Sequence, residues 1–325
     1  MLLSVLIRTL NTFRCALAAR ILRLKWKKNL GLARRIAPGT TSLVAHRPRR
    51  APPLALPPCS HLIYHQSCVD PLAAENSLAS LASQIPLTDE VVLLDVGATG
   101  HPSWLAPFAR HDWSSYVACQ ASQPEQQSYT FGLNAVMSGL RAPHLVVWRT
   151  DYVFPAGLAS LYARHLTRAR FAAPYHILVG RPEVDSAFVR REASRLAPFD
   201  LPFWSERAVL SSLYEYQDPA LFAIRRELWD KIGGLNHGLW GYGWQFAEFA
   251  ARVRAECSDS EIAYFASLPP LHQTHAGSQM HEPGQRRAEV DAGIRRFRDF
   301  LGGEDAYQSY RLMQVLPPRP PAPPP

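Results

Sequence analysis

Two carboxylates in this chain stand at the ends of apolar runs. Asp95 lies at the end of EVVLLDV (residues 90–96), just before the glycines of VGATG, and Asp151 closes HLVVWRTD (144–151). A short apolar run ending in an acid and glycines is the pattern of a buried parallel strand whose carboxyl end faces a ligand crevice. Arg149 sits two residues before Asp151, as a fixed cation for an anionic ligand or as a surface arginine at a strand end. The segment LHQTHAGSQMH places His272 and His275 three apart, with His281 further on. Glu248 and Arg252 are four apart, in the favourable order for a surface ion pair along a helix. Trp240, Tyr242 and Trp244 alternate with Gly241 and Gly243, so their rings either offer a stacking platform or pack within a tight loop.

One motif argues against a function. Gly97 and Gly100 have part of the spacing of a dinucleotide fingerprint, but the third glycine is replaced by Ser103. Pro102 stands where the helix should open, and the element is the second strand of the body. A nicotinamide enzyme is therefore disfavoured.

The elements that must position these residues alternate. The run HLIYH (61–65) reads as a first buried strand, followed by Asp70 and Pro71 as N-cap and first residue of a helix to about Ser83, with Leu72, Leu78 and Leu81 inward. Strands are expected at 90–96, 116–121, 144–151 and 175–180, and helices around 131–140 and 156–168. In the second of these helices Leu158, Leu161, Tyr162 and Leu166 share a face, with Arg164 and Arg168 away from it. Residues 181–212 read as an irregular, partly helical insertion. LFAIRRELWDKIGG (221–234) reads as strand to helix, stopped by Gly233 and Gly234. This alternation predicts an α/β fold with a mostly parallel central sheet flanked by helices.

The chain has 325 residues and a formal net charge of +8, but the charge is uneven. Residues 1–50 hold twelve Lys and Arg and no acid, leaving 23 basic against 27 acidic residues beyond them. The body is thus acidic, which disfavours specific nucleic-acid binding. Residues 1–59 read as a basic amphipathic leader and Pro-rich linker, 60–315 as the folded domain, and 316–325 as a Pro-rich tail. The leader suits an anionic membrane surface, an organelle transit peptide or a disordered extension, and none of its uncharged runs reaches the roughly 18 residues needed to span a bilayer. Five cysteines without a CxxC pair indicate neither a disulfide scaffold nor a thiolate metal site, and reduced thiols point to a cytoplasmic setting.

The stretch ALFAIRRELWDKIGGLNHGLWGYGWQFAEFAARV (220–253), together with LLDVGATG and VVWRTDYVFP, resembles the family-2-like glycosyltransferases of the GT-A fold, including a galactosyltransferase-type Gly-Trp motif. The resemblance covers most of residues 60–282 and implies a GT-A-like nucleotide-diphospho-sugar transferase. Such an enzyme moves sugar from a nucleotide-diphosphate donor to a hydroxyl of a glycan or glycolipid. It implies a divalent metal, Mn²⁺ or Mg²⁺, on Asp151 with His275 and His272, and donor contacts from Asp95, Arg149 and Asp151. Acceptor contacts would come from Trp240, Tyr242 and Trp244, and the catalytic base from Glu248. The departures share a direction, because the family's acids become Val96, Arg149, Asn236, His237, Gln245 and Phe246 here. Glu248 lies roughly 200° around a helix from position 246 and cannot simply replace the acid missing there. An inactive domain that binds nucleotide or glycan therefore stands beside the enzyme, as does a membrane-surface scaffold.

Overall fold

The computed structural model describes residues 41–46, 58–66, 69–96, 102–121, 129–195, 199–212, 221–236 and 244–274. Most of the leader, the tail and the segment holding Trp240, Tyr242 and His275 lie outside them. Among the described residues no helix is long and apolar enough to cross a membrane.

The strands of the main sheet are β1 (Thr41–His46), β2 (Cys59–Gln66), β3 (Glu90–Val96), β4 (Trp113–Ala121), β5 (His144–Arg149), β7 (Phe171–Pro174), β10 (Phe222–Arg225) and β11 (Ile262–Phe265). They lie in the order β1-β4-β3-β2-β5-β10-β7-β11. The four strands β4, β3, β2 and β5 are mutually parallel, as are β7 and β11. β10 runs antiparallel between β5 and β7, and β1 antiparallel along β4. The sheet is thus mainly parallel. β1 falls in the stretch that the sequence assigns to the leader, and its backbone pairing with β4 ties it to the body.

The period of two along each strand splits the apolar residues between two faces. Leu62 and Tyr64, Val92 and Leu94, Leu145 and Val147, and Phe222 and Ile224 pack under helices α2 (Tyr129–Gly139), α6 (Arg226–Ile232) and α7 (Trp244–Glu256). Ile63, Val91, Leu93, Val146 and Trp148 pack on the other face under α1 (Pro71–Ala82) and α3 (Leu158–Leu166). Burial on both faces explains why these strands read as unbroken apolar runs.

Local signals set the helix ends. The Asp70 side chain accepts from Ala73 N at 2.9 Å with Pro71 opening α1, and Leu78 and Leu81 are buried as expected while Leu72 is half-buried. Gly233, at φ 77°, closes α6 in the left-handed conformation that glycine tolerates.

A second, four-stranded sheet runs β6 (Tyr152–Val153), β12 (Leu271–His272), β8 (His176–Gly180) and β9 (Ala208–Ser212). The expected strand at 175–180 therefore forms, but in this smaller sheet, with β7 immediately before it in the large one. The insertion at 181–212 contains α4 (Ser186–Arg191), α5 (Leu201–Arg207) and β9, closed over Trp204, Val184 and Val189.

Candidate functional site

Register brings the candidate residues to one end of the main sheet. His65 pairs with Asp95 across β2 and β3, and Tyr64 with Arg149 across β2 and β5. The three parallel strands therefore end side by side, and Thr150 N donates back to Tyr64 O at 3.2 Å. Beyond Arg149 the chain turns at Thr150 and Asp151 and enters β6 of the small sheet. There β12 pairs with β6, placing His272 opposite Tyr152, and Gln273 N donates to Asp151 O at 2.9 Å.

That long-range pairing makes a compact polar cluster. Asp151 is 1% exposed, and its Oδ2 accepts from the Arg149 guanidinium at 2.5 Å. The same oxygen lies 3.3 Å from His272 Nε2. The guanidinium carbon of Arg149 lies 5.9 Å from the Tyr64 ring centre and 5.8 Å from that of Tyr152, within cation–π range of both. Tyr152 meets the His272 ring edge-on at 5.0 Å. The backbone beneath is held as well, with Ser77 Oγ donating to Arg149 O at 3.2 Å. Gln273 bridges α1 to the small sheet by donating to Ala73 O at 3.1 Å and accepting from Asn76 at 2.9 Å.

Asp95 is fully buried, and the Tyr116 hydroxyl donates to its Oδ2 at 2.5 Å. Burial, then the neighbouring Asp95, pushes the Tyr116 hydroxyl well above its ordinary range. Beside it His65 Nδ1 and Thr150 Oγ1 are 2.9 Å apart, and the His65 ring stands edge-on to Trp104 at 4.7 Å. Sequence reasoning passes over His65, Tyr152, Asn76 and Gln273. The available signal was position alone, since His65 occupies the end of β2 as Asp95 does the end of β3.

Glu248 requires a correction. It is on α7, 1% exposed, with Oε1 and Oε2 taking two guanidinium bonds from Arg252 at 2.6 and 2.8 Å. Arg252 also donates to Ile232 O at 2.6 Å, so the pair ties α7 to the end of α6. Burial pushes the Glu248 carboxyl up while Arg252 pulls it down. A base needs an exposed lone pair within reach of an acceptor hydroxyl, and the buried pair does not offer one. The ion pair expected on the surface is an internal strut. Of the aromatic trio, Trp244 opens α7, while Trp240, Tyr242 and His275 lie outside the described residues.

A divalent ion needs anionic oxygen donors that are available to it. Asp151 and His272 converge, but Arg149 stands where the resembled family has an acid, and its guanidinium bonds the Asp151 oxygen that faces His272. The described donor set does not fit a divalent ion as it is arranged. A second grouping, Cys59, His61 and Asp89, lies at the opposite end of the strands, all three buried. It does not fit either. Trp148 Nε1 donates to His61 Nδ1 at 3.0 Å, which puts the ring proton on Nε2, 2.9 Å from Asp89 Oδ2. The imidazole lone pair is thereby engaged, and burial, then Asp89, pushes the Cys59 thiol up to about 12.

No family model matches the chain, and no curated protein matches it. Solved structures do. The mannosyltransferase PcManGT from Pyrobaculum calidifontis, in complex with GDP-Man and Mn²⁺, is 15% identical over 92% of this chain and 84% of its own, with a TM-score of 0.46. S. aureus TarS 1-349 is 11% identical over 78% of this chain and 69% of its own, at 0.46. Glucosyl-3-phosphoglycerate synthase from Mycobacterium tuberculosis, in complex with phosphoglyceric acid, is 13% identical over 76% and 81%, at 0.42.

Proposed function

We propose that this chain is a glycosyltransferase that takes a nucleotide-diphospho-sugar at the carboxyl ends of β2, β3 and β5. The observation that supports this reading is the convergence of Arg149, Asp151 and His272 there, with Asp95 two strands from β5. The GT-A resemblance assigns Asp95, Arg149 and Asp151 to the donor and His272 to its metal, and crevices outside parallel strand ends are where such sheets bind ligands.

The chemistry required of the site is modest. Departure of a nucleoside diphosphate develops negative charge, and a planar guanidinium presents paired N–H donors that match phosphate oxygens. Arg149 is held for that role by Asp151 and by the rings of Tyr64 and Tyr152. Asp95 lies beyond His65 at the same strand ends, buried with the Tyr116 hydroxyl on its Oδ2, at the position the resemblance gives to the ribose or base.

A second reading, nucleotide binding without transfer, is favoured by one observation, the enclosure of Glu248 in its pair with Arg252. Incubation of the full chain with UDP- and GDP-sugars and an oligosaccharide acceptor, scored for release of free UDP or GDP, separates the two. Acceptor-dependent release is the expected result. Tight nucleotide binding without release from any donor would establish the binding-only reading, and absence of both would remove the donor site.

A further inference from the structure

We infer that Arg149 is itself the cation of this site, so that the donor diphosphate is bound without a divalent metal ion. The inference rests on the donor-site reading above and concerns how the site meets the charge of its ligand.

One carboxylate oxygen is shared between two cationic or potentially cationic groups. Asp151 Oδ2 receives Arg149 at 2.5 Å and faces His272 Nε2 at 3.3 Å. A divalent ion on that oxygen would have to displace a charge-assisted bond and would then lie beside a guanidinium that remains charged at any working pH. Like charges so close in a partly enclosed site repel strongly, because solvent screening there is weak. The Asp151 side chain is 1% exposed and that of Arg149 18%.

The arrangement is also braced, as a permanent cation would need to be. Arg149 has the Tyr64 and Tyr152 rings within cation–π distance. Its carbonyl accepts from Ser77 Oγ, and the Asp151 carbonyl from Gln273 N. Tyr64 belongs to the adjacent strand, Ser77 to α1, and Tyr152 and Gln273 to the small sheet and its edge. Asp151 is then a positioning residue that aims the guanidinium, and a fork of N–H groups takes over the charge neutralisation that an ion would supply. The substitution of an acid by Arg149 and the retention of Asp151 are thereby explained together. A metal ligand alone would leave the arginine unaccounted for.

The test is calorimetric titration of UDP and of GDP into the full chain, once with Mn²⁺ and once with EDTA. The expected result is an affinity that agrees within about twofold between the two buffers for whichever nucleotide binds. Arg149→Ala should weaken it at least tenfold, and Arg149→Lys should weaken it less, since the charge remains. Arg149→Asp, which puts a carboxylate in place of the guanidinium, should bind only when Mn²⁺ is present. Melting curves of the variants identify any that has simply unfolded, and Arg149→Lys keeps the comparison open if Arg149→Ala has. Wild-type binding that disappears in EDTA overturns the inference while leaving the donor site intact. So does metal-free binding that folded Arg149→Ala retains in full. Absence of binding in both buffers removes the donor-site reading itself, and the inference with it.

Discussion

Replacing Glu248 by Gln should destabilise the fold far more than a surface substitution would, and the size follows from the surroundings of the pair. The Glu248 side chain is fully buried and that of Arg252 is 6% exposed. Loss of the carboxylate leaves a guanidinium inside the packing of α7 on α6, where breaking a buried pair costs about 3–5 kcal/mol. Arg252 keeps its bond to Ile232 O, so the lower part of that range, about 3 kcal/mol, is expected. For a domain of this size that is a melting point lower by roughly 6–12 °C. Glu248→Leu combined with Arg252→Met removes both charges at similar volume and should recover most of the loss, short of about 1 kcal/mol for the carbonyl of Ile232. Urea denaturation of wild type, Glu248→Leu, Arg252→Met and the double variant closes the cycle, with Glu248→Gln measured alongside. A Glu248→Gln variant within about 1 kcal/mol of wild type, or a double variant worse than either single, would refute the reasoning that this pair is an internal strut.

Gly234 sits at φ +70°, and a Cβ there would come 2.6 Å from Asn134 Oδ1. Asn134 holds both Leu235 N and Leu235 O at 2.8 Å, so Gly234→Ala combines left-handed strain of about 1–2 kcal/mol with disruption of those two bonds. A loss of about 3 kcal/mol in denaturant unfolding is expected, and a change under about 1 kcal/mol would show that Asn134 moves aside freely. Burial holds His111, His144 and His165 below the ordinary imidazole range. Above about pH 7 these rings are neutral in both folded and unfolded chains. As pH falls through the unfolded value the unfolded chain takes up protons first, so stability drops between about pH 7 and pH 5. Melting points taken across that window should decline, less steeply in His111→Gln, and a flat or rising profile would contradict the assignment.

Features that depend on neighbours along the chain are legible in the residues alone. β3 is legible to the residue as EVVLLDV, because a strand covered on both faces must be apolar throughout. Asp70 with Pro71 marks the start of α1 and Gly233 the end of α6, since caps act within one turn. The acids at or just beyond the ends of β3 and β5 can be recognised for the same local reason. Strand direction is not local. β10 is as apolar as β5 and β2, and nothing in FAIR distinguishes an antiparallel strand from a parallel one. Nor does HILVG reveal that β8 joins a second sheet while β7, just before it, stays in the first. The enclosure of Glu248 needed the packing of α7 against α6, which turned an apparent surface pair into a buried one. The site itself belongs to the tertiary structure, because Asp151 and His272 meet only when β12 inserts between β6 and β8. Pairings between segments so distant in the chain are set by the closure of a common core, and local residue preferences carry no information about them.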